Sequence, residues 1–215
     1  AISGKKILFV ATKKQAKGLV AEAAEALNMP YITERWPGGL LTNFATIRKS
    51  IKKMQIIDKM KENGTFDSLS KRERLQIDRQ RAKLDLNLGS IVKMTRMPEA
   101  VFIVDTNKES IALAESNKLG ILSFAMNDTN TNPSQVNFPI PANDDATKSI
   151  ECILSIVTKA IAEGLEERNA EQDKKAVEKK EKAKKIAEGL EEKIAEKDKK
   201  PVEKIEKAKK TAEEK

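Results

Sequence analysis

The sequence predicts an α/β protein in which a doubly wound parallel sheet is interrupted by an inserted antiparallel helical hairpin and followed by a charged C-terminal tail. Three observations carry that expectation. Short apolar runs alternate with helical periodicities both before residue 44 and after residue 97; a basic, helix-patterned stretch breaks this rhythm once, between them; and beyond residue 160 the composition narrows to Lys, Glu and Ala. With 215 residues and 39% apolar content, one core is affordable and two full domains are not. The expected division is therefore an α/β domain from 1–43 and 98–165, a hairpin over 44–97, and a Lys/Glu-rich repeat tail over 166–215.

Lys5 to Thr12, KKILFVAT, is a continuous apolar run bounded by charge, which suits a strand buried on both faces. Residues 13–28 follow with Ala-rich helical periodicity that ends at Asn28 and Pro30. A short strand over Tyr31 to Trp36 completes a βαβ unit, and Pro37-Gly38-Gly39 breaks it. Thr42 or Asn43 can cap the next helix, where Phe44, Ile47, Ile51 and Met54 repeat like a coiled-coil seam until Asp58 falls at the next seam position. NGTFDSLS, residues 63–70, is a turn signal, and Ser70 with Glu73 fits a capping box opening a second helix that runs to about Gly89 or Met97. Two long helices joined by so short a loop pack antiparallel. After Pro98 the α/β rhythm resumes, with strands at 100–105, 121–126 and 138–142 and helices at 108–118 and about 145–163. In the tail, residues 161–185 recur as 186–210 with 20 of 25 positions identical; Gly164, Gly189 and Pro201 with few apolar residues predict an exposed, partly helical or disordered segment.

Composition excludes much chemistry. There is no His and one Cys, so the usual zinc and iron ligand sets, a Ser-His-Asp triad and a Cys-His dyad cannot be assembled. Catalytic residues, a metal and a cofactor are accordingly not expected. The lone Cys152 and the lack of a long apolar run point to a reducing, soluble compartment. The chain opens at Ala1 with nothing that reads as a targeting sequence, as a start within a longer protein would.

The net charge of +8 is unevenly distributed. Residues 44–97 hold 14 basic and 6 acidic groups, an excess of 8, whereas residues 98–160 hold 4 and 8. The hairpin thus accounts for the whole surplus, the electrostatic footprint of a polyanion-binding surface. The RNA-facing set read from it comprises Arg48, Lys49, Lys52 and Lys53 on the first helix and Lys71, Arg72, Arg74, Arg79, Arg81 and Lys83 on the second. Arg35 and Asn43 join it at the hairpin root, while Trp36 and Phe44 are assigned mostly to packing. Lys13 and Lys14, at the turn after the first strand, favour an anion at a helix N-terminus. Asp105 ends a strand where open α/β sheets hold ligands, and would suit magnesium or a ribose; without a Gly-rich phosphate loop, turn and cap chemistry is the favoured reading. Asn143-Asp144-Asp145 resembles a metal carboxylate pair, yet its place before a helix explains it equally well. An enzyme or switch binding a nucleotide, flavin or magnesium at Thr12, Asp105 and Thr129 is the competing class.

ILFVATKKQAK, then MPYITERWPGGLLTNFATIRKSIKKM, NGTFDSLSKRE, MPEAVFIVDTNKESIALAESNKLGI and finally IPANDDATKSI form an ordered series over residues 5 to about 165. In this series the chain resembles the bacterial-type small ribosomal subunit protein S2 family. The resemblance implies a flavodoxin-like sheet, a coiled-coil hairpin and no catalytic activity. It further implies binding to 16S-type ribosomal RNA beside other small-subunit proteins, S1 among them, in the cytoplasm of a bacterium more than in an organelle. The family's leading segment, with a His-Phe-Gly motif and a further strand, is not present, which implies truncation. The chain departs from the family at Leu122, Asn127 and Asn132, where local loop geometry is expected to differ.

Overall fold

The computed structural model describes residues 3–172; the expected tail, from 173 on, lies outside the described residues. The chain divides after Leu165 into two units. The first contains a five-stranded, all-parallel sheet of order β2-β1-β3-β4-β5, built from β1 (Ile7–Val10), β2 (Tyr31–Ile32), β3 (Ala100–Val104), β4 (Leu122–Asn127) and β5 (Phe138–Pro141). Helix α1 (Lys14–Ala26) connects β1 to β2, and α4 (Ser110–Leu119) connects β3 to β4. The helix after β5, α5, begins at residue 147.

Alternation along the strands creates two cores. Leu8, Val10, Val101, Ile103 and Ala125 face Ala112 and Leu113 of α4 together with Trp36, Leu40 and Leu41. Phe9, Phe102, Val104 and Met126 face Ala16, Val20 and Ala24 of α1 and Ile150, Leu154 and Ile161 of α5. Helices therefore cover both faces, as a parallel sheet of continuous apolar runs requires. Each connecting helix is stopped by its sequence. Past α1, Asn28 takes φ +52° and Met29 N donates to Ala24 O at 2.9 Å; past α4, Gly120 takes φ +66° and Ile121 N donates to Ser116 O at 3.0 Å. Both are left-handed C-caps of the Schellman type.

Strand β2 is shorter than its sequence suggests. Only Tyr31 and Ile32 pair with β1, because the chain then leaves the sheet and carries Trp36 inward beneath it. Strand β5, FPIP, pairs with β4 alone; at a sheet edge its two prolines cost no ladder bond on the open side.

Helices α2 (Phe44–Glu62) and α3 (Lys71–Leu88) run antiparallel, since Asp58 meets Arg81 while Lys61 meets Asp78. The capping box at Ser70 is present, with Glu73 N donating to Ser70 Oγ and Ser70 N to Glu73 Oε2. The seam runs one step further than the heptad suggests. Ile57 is buried after Ile51 and Met54, and Asp58 sits at the seam's margin, its carboxylate taking Arg81 Nε at 2.9 Å. Only the root of the hairpin joins the body: Ile51, Leu88, Ile91 and Met94 enter the core beside α4, with Phe44, Ile47 and Leu84 packed against it.

Ile51→Ala, at 4% exposure, is expected to cost ~2–5 kcal/mol of unfolding free energy in urea titrations. Ile56→Ala, on the outer face of the same helix, should stay within about 0.5 kcal/mol of the parent.

Candidate nucleic-acid interface

The root of the hairpin is organised by a carboxylate that the sequence did not single out. Glu115, on the core-facing side of α4 and 8% exposed, accepts five hydrogen bonds from the segment that leads into α2. Trp36 Nε1 donates to Oε1 at 3.0 Å and Gly39 N at 2.7 Å; Leu41 N, Thr42 N and Thr42 Oγ1 donate to Oε2 at 3.0, 3.1 and 3.1 Å. Leu40 N donates to Pro37 O at 3.0 Å, closing a turn whose third residue, Gly39, takes φ +83°. A side chain there would be strained, and its Cβ would press to 3.4 Å from Asn43 Cβ. Burial alone would raise the pKa of Glu115, but the hydrogen bonds from Thr42, Trp36, Gly39 and Leu41 outweigh it and hold the carboxyl below its ordinary range. Sequence reasoning missed Glu115 because an acidic residue in IALAESNKLG reads as solvent-facing; the available signal was its place three residues after Ala112, on the same face of the helix.

The strand order reverses between β1 and β3, so a ligand of an open α/β sheet would sit beyond their carboxyl ends. The protein's own side chains fill that place. Lys13 Nζ lies 3.0 Å from Asp105 Oδ2, 2.6 Å from Asp144 Oδ1 and 2.7 Å from Asp145 Oδ1. Burial opposes the ammonium charge, yet the hydrogen bonds to these carboxylates dominate and raise its pKa. Burial also raises the pKa of Asp144, against the Lys13 hydrogen bond and with the help of Asp105 and Asp145. One cation among three acids leaves negative charge in excess, which favours protons on both partners. Thr12 Oγ1 and N both donate to Glu109 Oε1. Asp105 combines this pairing with a turn role, its Oδ1 accepting from Asn107 N at 2.9 Å. Asn143 closes the turn just ahead of α5, accepting from Asp145 N and Ala146 N at 2.8 and 2.9 Å. Asp128, Asp144 and Asp145 bring carboxylate oxygens within 4.8 Å of one another at this edge. At one departure from the family pattern, Asn132 caps its own loop by accepting from Ser134 N at 3.0 Å.

The structure sorts the predicted RNA-facing residues by availability. Lys49, Lys52 and Lys53 lie exposed on the face of α2 opposite Ile47, Ile51 and Met54, and form no ion pair among the described residues. The same holds for Lys71, Arg72, Arg79 and Lys83 of α3, of which Arg72, Arg79 and Lys83 fall on one face at intervals of seven and four. Lys14 and Arg35 are also exposed, and Asn43 Oδ1 accepts from Thr46 Oγ1 at 2.8 Å. Four of the basic residues are engaged within the protein. Lys13 is enclosed as described and stands apart from the basic surface. Arg48 Nη1 donates to Met94 O at 3.2 Å, Arg81 bridges Asp58 and Asp85, and Arg74 lies 3.7 Å from Asp67. Lys59, not included in the sequence reading, is exposed seven residues after Lys52 and extends the same face.

The family model for ribosomal protein S2 matches residues 1–164. Small ribosomal subunit protein uS2 of Flavobacterium johnsoniae is 64% identical over 178 residues, covering 83% of this chain and 70% of that protein. The uS2 protein of Phocaeicola vulgatus is 65% identical over 170 residues, covering 79% and 61%. That of Christiangramia forsetii is 62% identical over 185 residues, covering 86% and 61%. The chain thus spans 61–70% of the length of these relatives.

Removing the Glu115 acceptor orphans five donors, so Glu115→Ala is expected to cost at least ~3 kcal/mol in urea unfolding at pH 7. Because the folded-state pKa is depressed, this stabilisation is present above the unfolded value of about 4.3 and is lost as pH falls through the lower folded value. The stability gap between the parent and Glu115→Gln should therefore narrow on acidification below pH ~4, as followed by urea titrations across that range.

Proposed function

The chain belongs to the ribosomal protein S2 family, and from that premise we propose that it is a structural constituent of the small ribosomal subunit, binding small-subunit rRNA through the outer faces of α2 and α3. The role is one of assembly and support for translation, with no catalytic step. Small-subunit ribosomal proteins, S1 among them, are its neighbours, in the cytoplasm of a bacterium. The α/β body of 1–43 and 98–165 serves as the mount and the 44–97 hairpin as the gripping element. The names and bacterial sources of the relatives support this reading.

The observation that carries the RNA-binding part is how the hairpin spends its acids. Asp58 and Asp85 share one guanidinium, Asp78 takes Lys61, Asp67 lies near Arg74, and Glu73 closes the capping box. Few cations are thereby used, and Lys49, Lys52, Lys53, Arg72, Arg79 and Lys83 are left facing solvent. Such a face gains by releasing counterions from a phosphate backbone.

Lys49→Glu/Lys52→Glu/Lys53→Glu is expected to reduce co-sedimentation with small subunits. It should also flatten the dependence of log affinity for rRNA on log salt by roughly 2–3 units, about 0.7–0.9 for each lost phosphate contact. Thermal unfolding should stay near that of the parent, since none of the three touches the core. Unaltered incorporation would remove the hairpin from the interface. Arg48 is left out of the variant because its bond to Met94 O would confound binding with folding.

A further inference from the structure

Between the Trp36-Pro37-Gly38 turn and the two helices lies a cleft of about 500 Å³. Its apolar floor is made by Ile47, Leu84, Leu88 and the edge of Trp36. Ser50, Gln80 and Asn87 supply polar groups along its walls, and Arg35 and Lys83 supply cations. Among the described residues no carboxylate lines it. Asn87 Nδ2 donates to Lys83 O at 2.7 Å, which leaves its Oδ1 open as an acceptor. Arg35, Gln80 and Lys83 are exposed and form no side-chain hydrogen bond or ion pair among the described residues. An apolar floor with a few polar groups and a cationic wall fits a planar heterocycle joined to phosphate, and the volume lies in the roughly 300–1,000 Å³ range of small-molecule sites.

Resting on the RNA-binding reading, we propose that this cleft receives one unpaired RNA nucleotide. Its base lies on Ile47, Leu84 and Leu88, its polar edge meets Gln80 and Asn87, and its adjoining phosphates meet Arg35 and Lys83. A paired base is excluded by shape, because the edges of an A-form helix are recessed or shallow and present no single ring to a concavity. An unstacked base regains apolar contact there, and the guanidinium of Arg35 offers a surface to stack against. The hairpin would thus bind RNA in two ways, by charge along its outer faces and by shape at its root.

The test uses the full chain with two probes, a short single-stranded oligoribonucleotide and the same strand annealed to its complement. Gln80→Trp fills the cleft from its exposed rim without removing a cation, and Ser50→Phe fills it from the opposite wall. Each should lower single-strand affinity about tenfold, the order of losing one base contact, and leave duplex affinity and the salt slope within about twofold of the parent. Thiouridine placed in the single strand should crosslink to residues 47–50 or 80–88. Equal losses on both probes, unchanged single-strand affinity in both variants, or crosslinks confined to other segments would overturn the proposal. Failure of the parent chain to bind either probe would instead sink the RNA-binding reading on which it rests.

Discussion

The hairpin's attachment depends on one buried carboxylate. An ionised acid at 8% exposure is costly on its own, by several kcal/mol. A turn such as Trp36 to Thr42, which belongs to no helix or strand, is costly for the complementary reason, because its inward-pointing N–H groups have no ladder to join. Glu115 removes both penalties together by accepting from three backbone N–H groups, an indole and a hydroxyl. Since α4 is fixed to the sheet through Ala112 and Leu113, the direction in which α2 leaves the body is fixed with it. The basic faces project from this packed root.

A second knot of charge occupies the place where the topology of the body would offer a ligand site. Lys13 draws together the segments that follow β1, β3 and β5, and Glu109 ties Thr12 to the start of α4. The crevice at the switch point is closed by internal bonds that a small ligand would have to break. Surface properties divide accordingly. The body pairs Lys13 with its acids at this edge, and the hairpin leaves Lys49, Lys52, Lys53, Arg72, Arg79 and Lys83 outward.

The fold was largely legible because its signals are local. The runs ILFV, AVFIV and LSFAMN announce strands, and Asn28 announces a helix end, since each of these outcomes is decided within a few residues. The capping box at Ser70 and Glu73 was visible for the same reason. What escaped was pairing at long range. Lys13 looked like an anion ligand because nothing in TKKQ reveals two aspartates 131 and 132 residues away. Glu115 looked solvent-facing because its five donors come from a loop more than 70 residues earlier. Arg48, Arg74 and Arg81 carry the same formal charge as Lys49 and Arg79, and only the folded chain shows which of them are already engaged.

The hairpin is also held unevenly along its length, and on the proposed function this bears on how it would meet RNA. Near the body it is fixed by Ile51, Leu88 and Ile91, all at 5% exposure or less. Past Ile57 the apolar side chains, Met60, Phe66, Leu69 and Ile77, are only partly buried, and the helices are also joined by Lys61–Asp78 and Arg81–Asp58, pairs roughly 35–45% exposed. Pairs of that kind contribute about 0–1 kcal/mol each and weaken with salt. Repulsion among the outer lysines and arginines acts against them in the same region. Phosphates bound along those faces would remove the repulsion while leaving the internal pairs intact, so stability of the distal hairpin and affinity for a polyanion are thermodynamically linked. On the proposed function the acids that pair across the helices are therefore part of the binding surface's support. On the same proposed function they hold the two basic faces in register while an external anion neutralises the outer cations.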